Sequence, residues 1–202
     1  GAADFEVKPS EMDEVDYSQF TALITAGTVF AGQPSRDATF RAFKNARAQG
    51  IPVIFDIDYR PYSWPSPQVA SEVLSRAGEE SDMIVGNDEE FGFMAGDIDK
   101  GLEKARDLAS KGNRLVIYKM GEEGAITLYN DEEIKTGIFP TDAIKPVGAG
   151  DSFMAGLLSS LASGYNLKNS VIRGSACASI VVSLPGCAPA MPDEDQLNNF
   201  IN

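Results

Sequence analysis

The chain has 202 residues, of which 17 are basic and 30 acidic, so its formal net charge is −13; it has two cysteines and no histidine. Without imidazole, a Ser-His-Asp triad, a Cys-His dyad and a histidine-ligated zinc site are all excluded. Two cysteines cannot supply a four-cysteine metal site or a disulfide scaffold. The strong negative charge opposes non-specific binding to nucleic acid.

The composition is typical of a globular protein of the cytoplasm. Hydrophobic residues make up 43% of the sequence and charged residues 23%. The segment 1–16 is acidic and lacks the basic and apolar regions of a signal peptide. No apolar run has the length of a membrane span. We therefore expect reduced thiols at Cys177 and Cys187, and neither a membrane nor a nucleic acid as partner.

Short apolar runs alternate with helical patterns through the first part of the chain. Strands are predicted at 22–26, 52–55, 83–85 and 115–118. Helices are predicted between them at 35–50, 66–77 and about 97–111. This alternation indicates βαβ units and a parallel sheet covered by helices on both faces.

The pattern changes after the fourth strand. Apolar residues at 125–129 and 134–139 flank Asn130-Asp131, which predicts a β-hairpin. Further helices are predicted at about 150–163, at 168–183 and from near Asp193 to the C-terminus. No repeat or linker interrupts the chain, so we expect one α/β domain over residues 1–202.

A glycine-rich turn, Gly148-Ala149-Gly150-Asp151, directly precedes an apolar helix. Its small residues let the backbone approach a ligand, and the first amides of a helix favour an anion. Asp151 lies where a carboxylate can orient an incoming hydroxyl group and accept its proton. The turn alone also fits a plain helix start, in which Asp151 only complements the helix dipole.

Lys119, Gly121 and Gly124 follow the strand at 115–118. The lysine can reach phosphates and the glycines can leave room for a base, which fits a nucleotide loop. The same residues also fit an ordinary turn between two strands. The chain has no G-x-x-x-x-G-K-[ST] sequence, so this is not a Walker A loop.

Polar side chains also follow the second and third strands, and active sites of open α/β sheets lie beyond such strand ends. Asn87 and Glu90 offer the hard oxygen ligands that Mg2+ prefers. Alternatively, Asn87 caps a helix and the acidic residues complement its dipole. Arg60 fits a bidentate clamp for a phosphate or carboxylate, and equally an ion pair within its loop.

Together these segments resemble the ribokinase (pfkB) family of carbohydrate kinases. Pro146–Phe153 is similar to the second signature of the family, and Asn87-x-x-Glu90 to its N-x-x-E motif. Lys119-x-Gly121-x-x-Gly124 is similar to its ATP loop. The resemblance covers nearly the whole chain. It implies an α/β fold, a ribokinase-like three-layer sandwich with a mostly parallel sheet.

The resemblance also implies a role for each candidate residue. Asp151 is expected to be the base that activates a sugar hydroxyl group. The anion hole for the γ-phosphate is expected at the amides of Gly148, Ala149 and Gly150. The residues expected to line the ATP site are Lys119, Gly121 and Gly124. Arg60 is expected to contact either a phosphate of ATP or the acidic substrate. Mg2+ is expected near Asn87 and Glu90, held through water.

The segment 55–64 favours, by resemblance within the family, a keto-deoxy sugar acid as substrate. We expect phosphorylation of a primary hydroxyl group of 5-dehydro-2-deoxygluconate, as in inositol catabolism; 2-keto-3-deoxygluconate or another sugar is the alternative. Lys145 stands where many relatives have an aspartate that helps to bind a monovalent cation. The resemblance therefore implies that K+ does not activate this chain.

The resemblance further implies that the N-terminal strands and the lid of the family are missing from this chain. A nucleotide-binding fragment without catalytic activity is therefore the second hypothesis, and an acidic interaction domain without a ligand is the third. Unpaired sheet edges would favour a homo-oligomer.

Overall fold

A computed structural model describes residues 3–112 and 114–202. The strands are β1 (Leu23–Ala26), β2 (Val53–Asp56), β3 (Met83–Asn87), β4 (Leu115–Lys119), β5 (Ala125–Tyr129) and β6 (Glu132–Thr136). The α-helices are α1 (Pro9–Met12), α2 (Ser35–Ala48), α3 (Pro67–Glu79), α4 (Asp88–Ala95), α5 (Gly101–Ser110), α6 (Ala149–Ala162), α7 (Leu167–Ser183) and α8 (Glu194–Ile201). The six strands form one sheet in the order β1-β2-β3-β4-β5-β6.

Strands β1 to β4 pair in parallel, which confirms the predicted βαβ pattern. Strands β2 and β3 are mostly buried and read as continuous apolar runs, as expected for strands covered on both faces. The edge strand β1 is only partly buried. Parallel pairing brings the carboxyl ends of β2, β3 and β4 to one edge of the sheet, where Asp56, Asn87 and Lys119 end their strands.

Local capping signals set several of the helix boundaries. The Ser66 hydroxyl accepts the Val69 N–H at 3.2 Å and starts α3. Asp193 and Gln196 form a reciprocal capping box at the start of α8. The 3-10 turn that begins at Tyr17 is capped by Asp16, whose carboxylate accepts the Ser18 N–H at 3.2 Å. These ends follow the sequence because each cap joins residues only two or three positions apart.

The hairpin is confirmed, but its second strand begins earlier than the pattern suggested. Asn130 and Asp131 both have left-handed backbones, with φ of 51° and 62°. Such a two-residue turn lets pairing resume at once, so β6 spans Glu132–Thr136 rather than 134–139. The prediction followed the apolar residues, whereas the turn geometry sets the register.

The described chain comprises two compact units. The first runs to Lys119 and includes Thr127–Glu133, and the second comprises Met120–Ile126 and Ile134–Asn202. The single domain expected from the sequence stays a prediction. In the first unit, Phe30 of the turn after β1 meets Phe43 of α2 and Phe55 of β2 edge to face, each at 5.8 Å between ring centroids. This aromatic cluster fixes α2 against the sheet.

In the second unit, a buried arginine joins three helices. The Arg173 side chain of α7 is 7% exposed. It donates to Ser160 of α6 at 2.9 Å, and to Asn198 and Glu194 of α8 at 2.8 and 2.6 Å. Its guanidinium also lies 4.5 Å from the ring centroid of Tyr165. Because all of these contacts converge on one cation, Arg173 organises the helical part of this unit.

We expect Arg173→Ala to lower the free energy of unfolding by about 2–4 kcal/mol, since it removes several charge-assisted hydrogen bonds from a buried site. Urea unfolding measures the change. The control is Lys168→Ala, at an exposed position of the same helix, where a change within about 0.5 kcal/mol is expected. Equal stability of the two variants would contradict the organising role of Arg173.

Both cysteines are free thiols, as expected. Cys177 is buried, and this burial raises the pKa of its thiol to about 11. Cys187 is partly exposed. None of the helices in the described part of the chain has the length and apolar character needed to cross a membrane.

Candidate functional site

The glycine-rich turn immediately precedes α6, as the sequence predicted. Gly148 is the N-cap residue and has a left-handed backbone with φ of 88°. A Cβ atom at this position would lie 3.2 Å from the Cys187 sulfur and 3.3 Å from a Val181 methyl group. Glycine therefore serves here both for its backbone conformation and for the close approach of two neighbouring segments.

The turn leaves several backbone amides at the start of the helix unpaired. The Gly148 carbonyl accepts both the Ser152 N–H at 3.0 Å and the Ser152 hydroxyl at 2.7 Å. Within residues 3–112 and 114–202, no protein acceptor pairs with the N–H groups of Gly148, Gly150 or Asp151. Unpaired amides at a helix N-terminus form an anion site.

The Ala149 amide differs from its neighbours. Its N–H donates to the Pro146 carbonyl at 3.2 Å and so closes the turn in this conformation. The unpaired amides are therefore those of Gly148, Gly150 and Asp151. The anion-binding role given to Ala149 stays a prediction, and it would require this turn bond to open.

Asp151 occupies the third position of α6. Its side chain is exposed and makes no hydrogen bond or ion pair to the residues that the structure describes. A carboxylate in this state is free to accept a proton from a bound hydroxyl group. The unpaired amides and the exposed carboxylate thus lie within one turn of chain.

The loop after β4 is a short 3-10 turn spanning Gly121–Glu123. The Met120 N–H donates to the Gly124 carbonyl at 2.8 Å, and the Gly124 N–H to the Gly121 carbonyl at 3.1 Å. Gly124 has a φ of 89°, and a Cβ there would lie 2.0 Å from the Thr136 carbonyl oxygen. Only glycine fits this position, so the loop has a specified shape.

Asn87 and Glu90 form a capping box at the start of α4. The Asn87 side-chain oxygen accepts the Glu90 N–H at 2.8 Å, and the Glu90 carboxylate accepts the Asn87 N–H at 2.7 Å. The alternative in which Asn87 caps a helix is therefore present in the structure. No group of three or more His, Cys, Asp or Glu among the described residues could hold a metal ion. The Mg2+ site expected near Asn87 and Glu90 stays a prediction, and it would depend on water and phosphates rather than on an all-protein site.

Arg60 forms an ion pair with Asp58 at 2.7 Å, the local alternative foreseen for this loop. Its side chain is still 53% exposed, so the guanidinium remains accessible. Nearby, Tyr59 contacts Phe93 at 4.5 Å and Trp64 at 6.5 Å between ring centroids. The indole N–H of Trp64 is buried with no partner among the described residues. Aromatic side chains thus pack beside the Arg60 loop.

Within the first unit, strand pairing brings two of the predicted site residues together. Asn87 and Lys119 are register partners at the ends of β3 and β4. Arg60 comes four positions after the carboxyl end of β2. Glu90 also belongs to the first unit. The second unit holds the remaining six candidates, which are Gly121, Gly124, Gly148, Ala149, Gly150 and Asp151.

The sequence reasoning did not assign structural roles to several residues around the glycine turn. Ser152 locks the Gly148 carbonyl, and the only local signal was a serine four positions after that glycine. Cys187 packs against the turn from a distant segment, which no local pattern could reveal.

The protein thus has an α/β fold. The turn before α6 carries unpaired amides and a carboxylate at the start of that helix. The sequence model of the pfkB family of carbohydrate kinases matches residues 1–194. The chain belongs to this family, as the sequence motifs predicted.

Two curated relatives are named 5-dehydro-2-deoxygluconokinase. The protein from Geobacillus thermodenitrificans is 37% identical, over 98% of this chain and 60% of its own length. The protein from Photobacterium profundum is 38% identical, over 99% of this chain and 62% of its own length. The chain thus spans about three fifths of the length of these relatives.

Solved structures confirm the ribokinase-like α/β fold. Aminoimidazole riboside kinase from Salmonella enterica, complexed with aminoimidazole riboside and an ATP analogue, matches with a TM-score of 0.85 and 24% identity, over 100% of this chain and 68% of that one. Fructokinase from Vibrio cholerae, with fructose, ADP and calcium ion bound, matches with a TM-score of 0.80 and 26% identity, over 97% and 67%. The first of these supports the fold alone.

Proposed function

We propose that the protein represented by this chain is an ATP-dependent sugar kinase. The observation that carries the proposal is the turn before α6, where unpaired amides and the exposed Asp151 carboxylate follow one another. Phosphoryl transfer needs these two elements: donors for the charge on the transferring group and an acceptor for the hydroxyl proton. Membership of a carbohydrate kinase family supports the same reaction.

In the proposed reaction, a phosphoryl group passes from ATP to the sugar while Asp151 takes up the proton that the sugar loses. Asp151 accepts the proton of a primary hydroxyl group of the sugar, whose oxygen forms a bond to the γ-phosphorus of ATP. The bond from that phosphorus to the β-phosphate oxygen breaks, and ADP leaves. The amides of Gly148, Ala149 and Gly150 are proposed to hold the transferring group, with Ala149 joining once its turn bond opens.

Lys119, Gly121, Gly124 and Arg60 are proposed to contact ATP. The fixed shape of the loop around Gly124 supports this role, because a nucleotide site needs a preorganised wall. Bound Mg2+ would neutralise charge on the phosphates, near Asn87 and Glu90 and through water. The fructokinase from Vibrio cholerae, solved with ADP and calcium ion bound, supports a nucleotide and a divalent cation.

We propose 5-dehydro-2-deoxygluconate as the sugar acid, with 2-keto-3-deoxygluconate as the alternative. The names of the relatives at 37 and 38% identity support the first choice. The accessible Arg60 guanidinium suits either a phosphate or the carboxylate of such a substrate. The cytoplasmic location and the homo-oligomer stay predictions.

A second proposal is that this chain alone binds nucleotide without turnover. The observation that favours it is that the chain spans about three fifths of the relatives' length. The two proposals share the nucleotide site and differ only in catalysis, so binding is measured first.

Calorimetric titration with a non-hydrolysable ATP analogue and Mg2+ tests the nucleotide site. We expect saturable binding that Lys119→Ala weakens by about tenfold, the effect of losing one charge-assisted hydrogen bond. The control Lys168→Ala, at an exposed lysine, is expected to bind like the unmodified chain. Absence of binding by the unmodified chain, or an unchanged affinity in Lys119→Ala, would contradict the proposal.

A further inference from the structure

We infer that Lys145 is a positioning residue that sets the direction of the Gly148 amide in the anion site. Its ammonium group holds the peptide between Val147 and Gly148, which carries the Val147 carbonyl and the Gly148 N–H. The inference rests on the proposed function for the consequence that this N–H meets a phosphoryl group. The clamp itself rests only on contacts within the second unit.

The ammonium group of Lys145 joins three segments of chain. It donates to the Val147 carbonyl at 3.0 Å and to the Val181 carbonyl at 3.3 Å, and lies 3.9 Å from the Cys187 sulfur. The Cys187 thiol also donates to the Val147 carbonyl, at 3.5 Å. Two donors therefore converge on the carbonyl directly before Gly148.

The clamp is anchored to the C-terminal end of α7. Val181 lies in the last turn of that helix, where carbonyl groups favour a cation. Its carbonyl also accepts the N–H of the C-cap residue Leu184, at 3.4 Å. The Ile144 and Lys145 N–H groups both donate to the Val182 carbonyl, at 2.8 and 3.3 Å. Backbone and side chain together thus tie the start of the turn to α7.

The two residues that form the peptide between Val147 and Gly148 do little themselves to fix its orientation. Val147 is 62% exposed, and Gly148 has no side chain and a left-handed φ of 88°. The peptide is planar and trans, so its C=O and N–H point in opposite directions. Whatever holds the Val147 oxygen therefore also aims the Gly148 N–H, and Lys145 and Cys187 are the donors that hold it.

The positive charge adds to this geometric effect. An ammonium bound to the carbonyl side of a peptide polarises its N–H, which strengthens donation to an anion. Because the Lys145 nitrogen already donates to two carbonyls, it is directed at the turn rather than at the anion. Its removal should therefore weaken binding of the phosphate that the turn holds, more than binding of the rest of the nucleotide.

Titration of Lys145→Met with an ATP analogue and with ADP, each with Mg2+, tests this selectivity. We expect the Kd of the analogue to rise about tenfold while the Kd of ADP changes by less than about twofold. Lys168→Met, which removes an exposed lysine elsewhere in the unit, is the control and should change neither. Equal weakening for both nucleotides would indicate a general structural role and would overturn the inference.

Chemical rescue provides a second variant. Lys145→Ala leaves the Val147 and Val181 carbonyls without their cation, so NH4+ should restore affinity for the analogue, whereas the larger tetramethylammonium should not. Failure of NH4+ to restore any affinity in a folded Lys145→Ala variant would count against the clamp. Thermal unfolding of each variant shows that it is folded, and Lys145→Ala with NH4+ replaces Lys145→Met if the latter does not fold.

Hydrogen exchange separates this inference from the proposed function. Without nucleotide, the peptide covering 145–150 should exchange faster in Lys145→Met than in the unmodified chain, because the turn loses its anchor. If the unmodified chain binds no ATP analogue, the proposed function fails, yet this exchange rate still tests the clamp. Unchanged exchange at 145–150 would overturn the clamp even if nucleotide binding were confirmed.

Discussion

Asp151→Asn is expected to lower the rate of phosphoryl transfer about 10²- to 10⁴-fold, which is the usual contribution of a positioned general base. Asparagine has nearly the same shape but cannot accept the hydroxyl proton at neutral pH. The exposed Asp151 side chain has no structural partner among the described residues, so the substitution should leave the fold intact. Affinity for the ATP analogue should change by less than about threefold, because the nearby amides remain.

Steady-state assays with Mg-ATP and a panel of keto-deoxy sugar acids measure this effect. The matched control is Asp142→Asn, which removes an exposed carboxylate from the segment before the turn. Its activity should equal that of the unmodified chain. Turnover of Asp151→Asn at the rate of the control would contradict the role of Asp151 as base. If the unmodified chain binds the analogue but shows no turnover, the second proposal, binding without catalysis, is supported.

Gly124→Ala is expected to disrupt the loop after β4. An alanine with φ near 89° is strained by about 1–3 kcal/mol. Its Cβ would also lie 2.0 Å from the Thr136 carbonyl oxygen, so backbone must move. We expect a loss of about 2–4 kcal/mol in the free energy of unfolding. We also expect affinity for the ATP analogue to fall more than about tenfold.

Gly137→Ala is the matched control, because a Cβ at Gly137 would meet nothing within 4 Å. It should alter the free energy of unfolding by less than about 1 kcal/mol. Urea unfolding and nucleotide titration of both variants make the comparison. Equal stability and equal affinity of the two variants would show that the loop shape is not needed for the proposed nucleotide site.

Most elements could be predicted because their signals are local or periodic. The caps at Ser66 and Asp193 join residues three positions apart, and each marks a helix start. The apolar runs of β2 and β3 reflect burial on both faces of a parallel sheet, which affects every residue of a strand. The second strand of the hairpin was misplaced because apolar residues at 134–139 suggested a later start than the two-residue turn allows.

The position of three strand-end residues at one edge of the sheet also follows from the sequence. Asp56, Asn87 and Lys119 each end a strand, and parallel pairing requires such ends to share one edge. The sequence left open whether Asn87 caps a helix and whether Arg60 forms a loop ion pair. Both local arrangements are present in the structure. Neither excludes a role in binding, since each uses only part of the side chain's donors or acceptors.

The amino-acid sequence by itself thus determined the family, the succession of strands and helices, and the segments that carry the candidate site, because these depend on local spacing and on burial patterns. Only the tertiary structure decided how the glycine turn is held. It shows the Ala149 amide paired with the Pro146 carbonyl, the Lys145 ammonium on the Val147 and Val181 carbonyls, and the buried Arg173. Lys145 and Val181 lie 36 positions apart, and Arg173 and Glu194 lie 21 apart. Contacts at such separations depend on how helices pack, which no local pattern specifies.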